Sequence, residues 1–317
     1  MAQLQIHVTE HRADVAAPAG SVYGLLADVT RWPELFGPTV HAQQLERGET
    51  EERIRLWATA NNEVKTWTSR RGLDRDKLRI TFRQEVSQHP VAMMGGAWVI
   101  ESTGDDSCSV VLEHTFSAAD DLPENIDWVN KAVDRNSIAE LANLKRVAES
   151  QAETAELRTT FSDSADIDGD ADEVYEFLYR AQDWPNRLPH VQRLELTEDT
   201  PNLQIMTMDT KTATGAVHTT ESVRVCFPAE HSIVYKQLVL PVLLAVHNGR
   251  WTIESAGSGV RATSEHTVVI NRDAVETVLG EGKTTADAKA FIRQALGTNS
   301  SATLEHAKAW AETRRRG

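Results

Sequence analysis

The 317-residue chain holds only two cysteines, Cys108 and Cys226. They are too few for a disulfide framework, and neither stands in a C-x-x-C or other zinc-like spacing, so a reducing cytoplasm and no metal site are expected. Basic residues are outnumbered, with 33 Lys and Arg against 47 Asp and Glu, for a formal charge of −14. That sign works against functions that need a broad basic face, including nucleic-acid binding by counterion release and adhesion to anionic membrane. The segment Met1 to His7 has no basic stretch followed by an apolar one, so no signal peptide is expected. Long hydrophobic runs are missing as well. The longest, Leu238 to Val246, contains Pro241, is far shorter than the ~20 residues of a membrane-spanning helix, and reads as a buried strand.

Familiar catalytic motifs are also lacking. No H-E-x-x-H or G-x-S-x-G occurs, which argues against common metalloenzyme and hydrolase designs. Gly280-Glu281-Gly282-Lys283-Thr284 imitates the end of a phosphate-binding loop, but Thr277 occupies the place of the leading glycine. Gly257-Ser258-Gly259 lacks the third glycine of a dinucleotide fingerprint and reads as a hairpin turn. A cofactor-free reaction or simple binding remains.

What the chain does contain is an internal repeat. Ala13-Asp14-Val15, Val22-Tyr23 and Trp32-Pro33 return 152 residues later as Ala165-Asp166-Ile167, Val174-Tyr175 and Trp184-Pro185. Ser69, Arg71, Arg83-Gln84, Trp98 and Glu101 return at an offset of 153 as Ser222, Arg224, Lys236-Gln237, Trp251 and Glu254. Glu113-His114-Thr115 matches Glu265-His266-Thr267, and Asn136-Ser137 with Leu141 matches Asn299-Ser300 with Leu304. About ten extra residues therefore precede the last helix of the second copy, around Val278 to Lys289. Two domains are expected, 1–155 and 156–317, joined without a Gly/Ser- or Pro-rich linker and related by a pseudo-twofold or similar operation.

Within the first copy, Leu4 to Val15 alternates like a strand, and Pro18 to Asp28 groups Val22, Tyr23, Leu25 and Leu26 at helical spacing. Six further strands follow: Val40 to Leu45, Ile54 to Thr59, Val64 to Arg70, Leu78 to Val86, Ala97 to Glu101 and Ser109 to Phe116. Asn61-Asn62 and Gly104-Asp105-Asp106 read as turns between them. Asp120-Asp121-Leu122-Pro123-Glu124 signals the start of a long helix with an apolar stripe of Ile126, Val129, Val133, Leu141 and Leu144. The pattern predicts an α+β fold of two tandem helix-grip units. In each, a curved antiparallel sheet of about seven strands surrounds a long C-terminal helix and leaves a cavity between them.

Alternation puts Trp67, Ser69 and Arg71 on one strand face. If that face points inward, a guanidinium and a hydroxyl project beside an indole into an apolar cavity, where a fixed cation stabilises a developing enolate or alkoxide. Ser222 and Arg224 repeat the pair. Arg83 and Lys236 either line the cavity or sit on the opposite face. Trp32, Phe36, Met93, Met94 and Trp98 are candidate walls for a flat unsaturated guest. Gly95-Gly96 suggests a bulge or turn at the pocket mouth, and His89 an acid or base at its rim.

Trp32-Pro33-x-x-Phe36, Trp67-Thr68-Ser69-Arg70-Arg71 and Met94-Gly95-Gly96-Ala97-Trp98 in a duplicated unit resemble the di-domain aromatase/cyclases of bacterial type II polyketide synthases, over nearly the whole chain. The resemblance implies the START-like, Bet v 1-like fold. It also implies an enzyme that folds an acyl-carrier-bound poly-β-ketone, closes its first ring by aldol condensation with C7–C12 regiochemistry, and dehydrates that ring to an aromatic one without metal or organic cofactor. The expected partners are the acyl carrier protein and the minimal synthase. The expected state is a monomer with pseudo-dimeric domains or a homodimer.

By this resemblance Arg71, Ser69, Arg224 and Ser222 are catalytic. Trp32, Phe36, Trp67, Arg83, Met94, Trp98, Asn136, Trp184, Lys236, Trp251 and His266 would bind substrate. The second copy departs from the pattern, with Thr219 or Thr220 in place of Trp67 and Lys236 in place of Arg83. The alternative function is a non-catalytic carrier or chaperone of a hydrophobic molecule, because this fold serves binding as readily as catalysis. An acidic enzyme that meets an acidic carrier needs a local basic rim, for which Arg53, Arg55, Arg70, Arg75, Lys77 and Arg79 are candidates.

Overall fold

The computed structural model describes residues 4–60, 63–211, 215 and 217–316. The chain divides into two compact units, Met1–Ala152 and Glu153–Gly317. The predicted Asn61-Asn62 turn lies outside the described residues.

The first unit opens with β1 (His7–Val15), whose residues alternate between more and less buried as a half-covered strand requires. Helix α1 (Ala19–Ala27) buries Val22, Tyr23, Leu25 and Leu26, and α2 (Trp32–Leu35) has Pro33 in its first turn, where no amide donor is needed. Six strands follow: β2 (Thr39–Arg47), β3 (Glu51–Ala60), β4 (Glu63–Asp74), β5 (Arg79–Gln84), β6 (Val91–Gly104) and β7 (Ser107–Ala118). Helix α3 (Pro123–Glu149) closes the unit, burying Val129, Val133, Leu141, Leu144 and Val147 along one stripe. The sheet is antiparallel with strand order β1-β7-β6-β5-β4-β3-β2, so the first strand returns to pair with the last.

Helix α4 (Gln151–Leu157) leads into the second unit, which repeats the plan. It contains β8 (Arg158–Ile167), α5 (Ala171–Tyr179), α6 (Trp184–Arg187), β9 (Val191–Thr200), β10 (Leu203–Lys211), β11 (Val217–Phe227), β12 (Ser232–Val239), β13 (Leu244–Ala256) and β14 (Gly259–Ile270). A short extra helix, α7 (Val275–Leu279), accounts for the added residues before α8 (Thr285–Arg316). Strand order is β8-β14-β13-β12-β11-β10-β9. This is the α+β, duplicated helix-grip architecture. Each unit has its own core, around Leu26, Ile80, Leu112 and Leu144 in the first and Phe177, Leu178, Ile233 and Leu304 in the second. Each such side chain contributes roughly 1.5–3 kcal/mol by burial. No helix among the described residues is long and apolar enough to cross a membrane.

Two local expectations are corrected. Leu238 to Val246 is not one strand: β12 ends at Val239, Pro241 lies in the connection, and β13 starts at Leu244. Proline cannot donate to a ladder, and the connection leaves Val242 67% exposed. Gly95-Gly96 is not a bulge, because both residues sit in regular register between β5 and β7. They are glycines for close approach: a Cβ on Gly96 would fall 1.9 Å from the Glu113 carbonyl oxygen and 2.7 Å from the Phe82 ring. The helix start read in Asp120 to Glu124 is present, with α3 beginning at Pro123, although neither aspartate caps it. Both adopt left-handed backbone, Leu122 holds the N-cap position, and the Asp121 carboxylate instead accepts from the Gln5 amide.

Candidate functional site

In the first unit a cavity of about 550 Å³ is lined by both the sheet and α3. One face of β4 supplies Trp67, Ser69 and Arg71, and Trp32, Phe36, Met94 and Trp98 contribute aromatic and thioether surface. Arg71 is 3% exposed. Its Nη1 donates to Glu52 Oε1 at 2.6 Å, its Nη2 donates to the Leu26 carbonyl at 2.6 Å, and its guanidinium lies 4.9 Å from the Trp32 ring centroid. Burial pulls the guanidinium down to about 10, with Glu52 opposing the shift, so Arg71 stays charged at neutral pH. The other Glu52 oxygen accepts from Gln44 Nε2 at 2.7 Å. The Arg71 cation is therefore balanced by a fully hydrogen-bonded carboxylate.

Helix α3 adds Asn136 and Glu140 to the lining, and β7 adds His114. Glu140 is partly exposed, onto the cavity it lines, and burial pushes its carboxyl up to about 7. Burial also pushes His114 down to about 4, helped by nearby His11.

The second unit's cavity is smaller, about 220 Å³. Thr220, Ser222 and Arg224 enter from β11, Tyr235 and Gln237 from β12, His247 and Trp251 from β13, His266 from β14, Trp184 from α6, and Asn299, Ser300 and Thr303 from α8. Arg224 is 2% exposed, and its guanidinium lies 5.4 Å from the Trp184 ring centroid. Its Nη2 donates to the Leu178 carbonyl at 2.5 Å and its Nη1 to the Tyr179 carbonyl at 3.4 Å. Gln204 faces it across the ladder, as Glu52 faces Arg71. The Gln204 amide donates to Glu198 at 2.7 Å. Arg224 thus has no ion-pair partner among the described residues, and burial lowers its pKa.

Two buried histidines complete this cavity. His247 Nε2 is 3.0 Å from His266 Nδ1, which is also 3.0 Å from the Tyr235 hydroxyl. His247 Nδ1 meets Gln237 Oε1 at 2.9 Å, and His266 Nε2 meets Ser300 Oγ at 2.6 Å. Burial drives His247 well below the usual imidazole range and His266 down to about 4, so both are neutral at pH 7.

The structure brings Trp32, Phe36, Trp67, Ser69, Arg71, Met94, Trp98 and Asn136 around the first cavity and Trp184, Ser222, Arg224, Trp251 and His266 around the second. Arg83 and Lys236 are corrected. Their strand neighbours, Phe82 with Gln84 and Tyr235 with Gln237, line the cavities, and alternation turns Arg83 and Lys236 to the other face. Arg83 is exposed there beside Arg70 and Thr81, whereas Lys236 is buried. Met93 and His89 lie outside the cavity lining, and Thr220, not Thr219, takes the place of Trp67.

The basic rim is largely paired with acids, most of them on other strands. Arg53 and Arg70 pair with Glu46 and Glu85, Lys77 with Asp74, and Arg79 with Glu113. Of the six, Arg55 and Arg75 form no ion pair among the described residues, and Arg55 lies over the Trp57 ring at 5.9 Å.

Sequence reasoning passed over Glu52, Gln204, Glu140, Tyr235 and His247. The same repeat carried a signal for them, because aligned positions in and beside the cavities differ: Glu52 against Gln204, Phe82 against Tyr235, Met94 against His247, and Glu140 against Thr303.

The duplicated helix-grip fold thus gives each unit a largely apolar cavity with a Ser-x-Arg strand and a buried cation in its wall. The model of one family, polyketide cyclase/dehydrase and lipid transport, matches residues 15–138 and 167–301, once in each unit, and the chain belongs to that family. It is 46% identical over 315 residues to the actinorhodin polyketide synthase bifunctional cyclase/dehydratase of Streptomyces coelicolor, covering 96% of this chain and 97% of that one. It is 42% identical to the granaticin polyketide synthase bifunctional cyclase/dehydratase of Streptomyces violaceoruber, covering 95% and 93% of the two chains. Among solved structures it resembles BexL, the di-domain aromatase/cyclase from the BE-7585A biosynthetic pathway. That likeness has a TM-score of 0.89 and 48% identity, over 96% of this chain and 99% of BexL.

Proposed function

We propose that the protein is a cytoplasmic aromatase/cyclase of a type II polyketide synthase. In this reading it takes a poly-β-ketone tethered to an acyl carrier protein, directs aldol closure of the first ring with C7–C12 regiochemistry, and dehydrates that ring to an aromatic one without a cofactor. The observation that carries the reading is the pair of buried guanidiniums, Arg71 and Arg224, each two residues after a buried serine and beside a tryptophan in an otherwise largely apolar cavity.

A proton between two ketones is already acidic, so the main requirements are holding the chain in one bend and stabilising oxygen as it gains charge. Orientation of that kind is worth up to about 7–11 kcal/mol, and each well-aimed oxyanion donor about 2.7–4 kcal/mol. Arg71 and Arg224 supply the donors, Ser69 and Ser222 position water or the departing hydroxyl, and the tryptophans set the bend. The first cavity, at about 550 Å³, falls within the usual range for a ligand pocket, about 300–1,000 Å³. Arg55 and Arg75 are the rim charges left for the carrier to meet.

A second reading, non-catalytic retention of the guest, is favoured for the first cavity alone, because Glu52 already balances the Arg71 charge. Incubation with a minimal synthase, followed by mass spectrometry and NMR of the products, tests both readings. The wild-type protein should yield a C7–C12 first ring, and Arg224→Ala should shift products toward spontaneous shunts by tenfold or more. Unchanged product ratios on adding the wild-type protein would overturn the assignment.

A further inference from the structure

The hydrogen-bond chain in the second cavity fixes where one proton points. A neutral imidazole has one N–H donor and one bare acceptor nitrogen. Gln237 Oε1, 2.9 Å from His247 Nδ1, can only accept, so His247 carries its proton on Nδ1 and its Nε2 is bare. That bare nitrogen lies 3.0 Å from His266 Nδ1, which must therefore be the donor, and His266 Nε2 is left as an acceptor. The Ser300 hydroxyl donates to it at 2.6 Å and itself accepts from Ser264 Oγ at 3.3 Å. Each link satisfies the next from Ser264 to Gln237.

Tyr235 stands at the side of this chain. Its oxygen is also 3.0 Å from His266 Nδ1, a nitrogen that offers no lone pair, so the phenol oxygen accepts and the one Nδ1–H is shared between it and His247 Nε2. The phenol proton has no acceptor among the described residues, and Tyr235 lines the cavity. Directly opposite Tyr235 in the β11–β12 ladder is Arg224, the cation without a paired carboxylate. Gly249 makes room for the ring, since a Cβ there would fall 2.2 Å from Tyr235 Cζ. The first cavity has Phe82 and Met94 at the aligned positions and holds no such arrangement.

We propose that the Tyr235 hydroxyl and the Arg224 guanidinium form a two-donor site for a keto oxygen of the guest, with His266, His247 and Gln237 as positioning residues that keep the phenol proton turned to the cavity. The assignment rests on the reading that this cavity receives a polyketide. It makes the second cavity a specific binder of a carbonyl that the first, with Phe82, cannot hold in the same way.

Imidazole nitrogen NMR on the full chain tests the relay without any turnover. Both His247 and His266 should be Nδ1–H tautomers, and a proton on His266 Nε2 would overturn the proposal. In the minimal-synthase assay, Tyr235→Phe should lower the ratio of cyclised to shunt product about tenfold with an unchanged melting temperature. Gln237→Leu, which cannot accept, should lose both the wild-type ratio and the tautomers. If Arg224→Ala collapses the ratio and Tyr235→Phe leaves it untouched, the two-donor site is wrong and the functional reading stands. If the wild-type protein changes no product, the functional reading fails, and the tautomers still decide the relay.

Discussion

Glu52 and Arg71 face each other across the β3–β4 ladder, with 2.6 Å between carboxylate and guanidinium and side chains each 1% exposed. Removing one partner of such a pair leaves the other buried and uncompensated, at a cost of about 3–5 kcal/mol. Arg71→Met should therefore destabilise the first unit by that amount in urea denaturation. Arg71→Met combined with Glu52→Gln should recover most of the loss. Arg224→Met leaves no stranded carboxylate, and its cost should stay below that of Arg71→Met.

Gly96 and Gly249 occupy the same place in the two copies and respond differently to a methyl group. At Gly96 the obstacle is the Glu113 backbone oxygen at 1.9 Å, which cannot move without breaking the ladder, so Gly96→Ala should prevent stable folding of the first unit. At Gly249 the nearest atoms, within 2.5 Å, belong to the Tyr235 ring. Gly249→Ala should cost about 1–3 kcal/mol by overpacking, and most of that penalty should vanish in a Tyr235→Ala background. A double-mutant cycle in thermal unfolding measures the coupling.

His266 is 4% exposed and held neutral down to about 4, below the 6.5 of a free imidazole. Between those values the unfolded chain binds a proton that the folded chain refuses. Stability is therefore complete above pH 6.5 and falls as the pH drops toward 4, on the order of 3 kcal/mol for this group. Melting temperatures across that window should show the loss, and His266→Gln should lessen it, leaving the parts owed to His114 and His247.

Glu140 gives the opposite slope. Its folded carboxyl, raised to about 7 from 4.5, binds a proton that the unfolded chain has released, so stability declines as pH rises through that interval. Glu140→Gln should be more stable than wild type at pH 8 and indistinguishable from it at pH 4, by denaturant midpoint. Equal midpoint shifts at both pH values would show that the carboxyl does not titrate as its burial dictates.

The architecture was legible in the sequence because it is written twice. Trp32-Pro33 against Trp184-Pro185 and Ser69 with Arg71 against Ser222 with Arg224 fixed the repeat, the strand faces and the inward serine and arginine. Period-two alternation alone could not decide which face of β5 or β12 points inward, so Arg83 and Lys236 were open until the neighbouring Phe82 and Tyr235 were seen to line the cavities. The ion pairs that engage Arg53, Arg70 and Arg79 depend on which strands lie side by side, which composition does not reveal. The relay from Ser300 to Gln237 joins residues from three strands and a helix, and no local motif marks it.

The exchange of Glu52 for Gln204 has a consequence for how the two halves can diverge. Glutamate and glutamine are nearly the same size, and their codons differ in a single base. The formal charge beside Arg71 can therefore be removed by one nucleotide change with almost no repacking, whereas the reverse change at Gln204 would press a second carboxylate against Glu198. Divergence between the two copies is thus easier in the direction that deletes a charge than in the one that restores it.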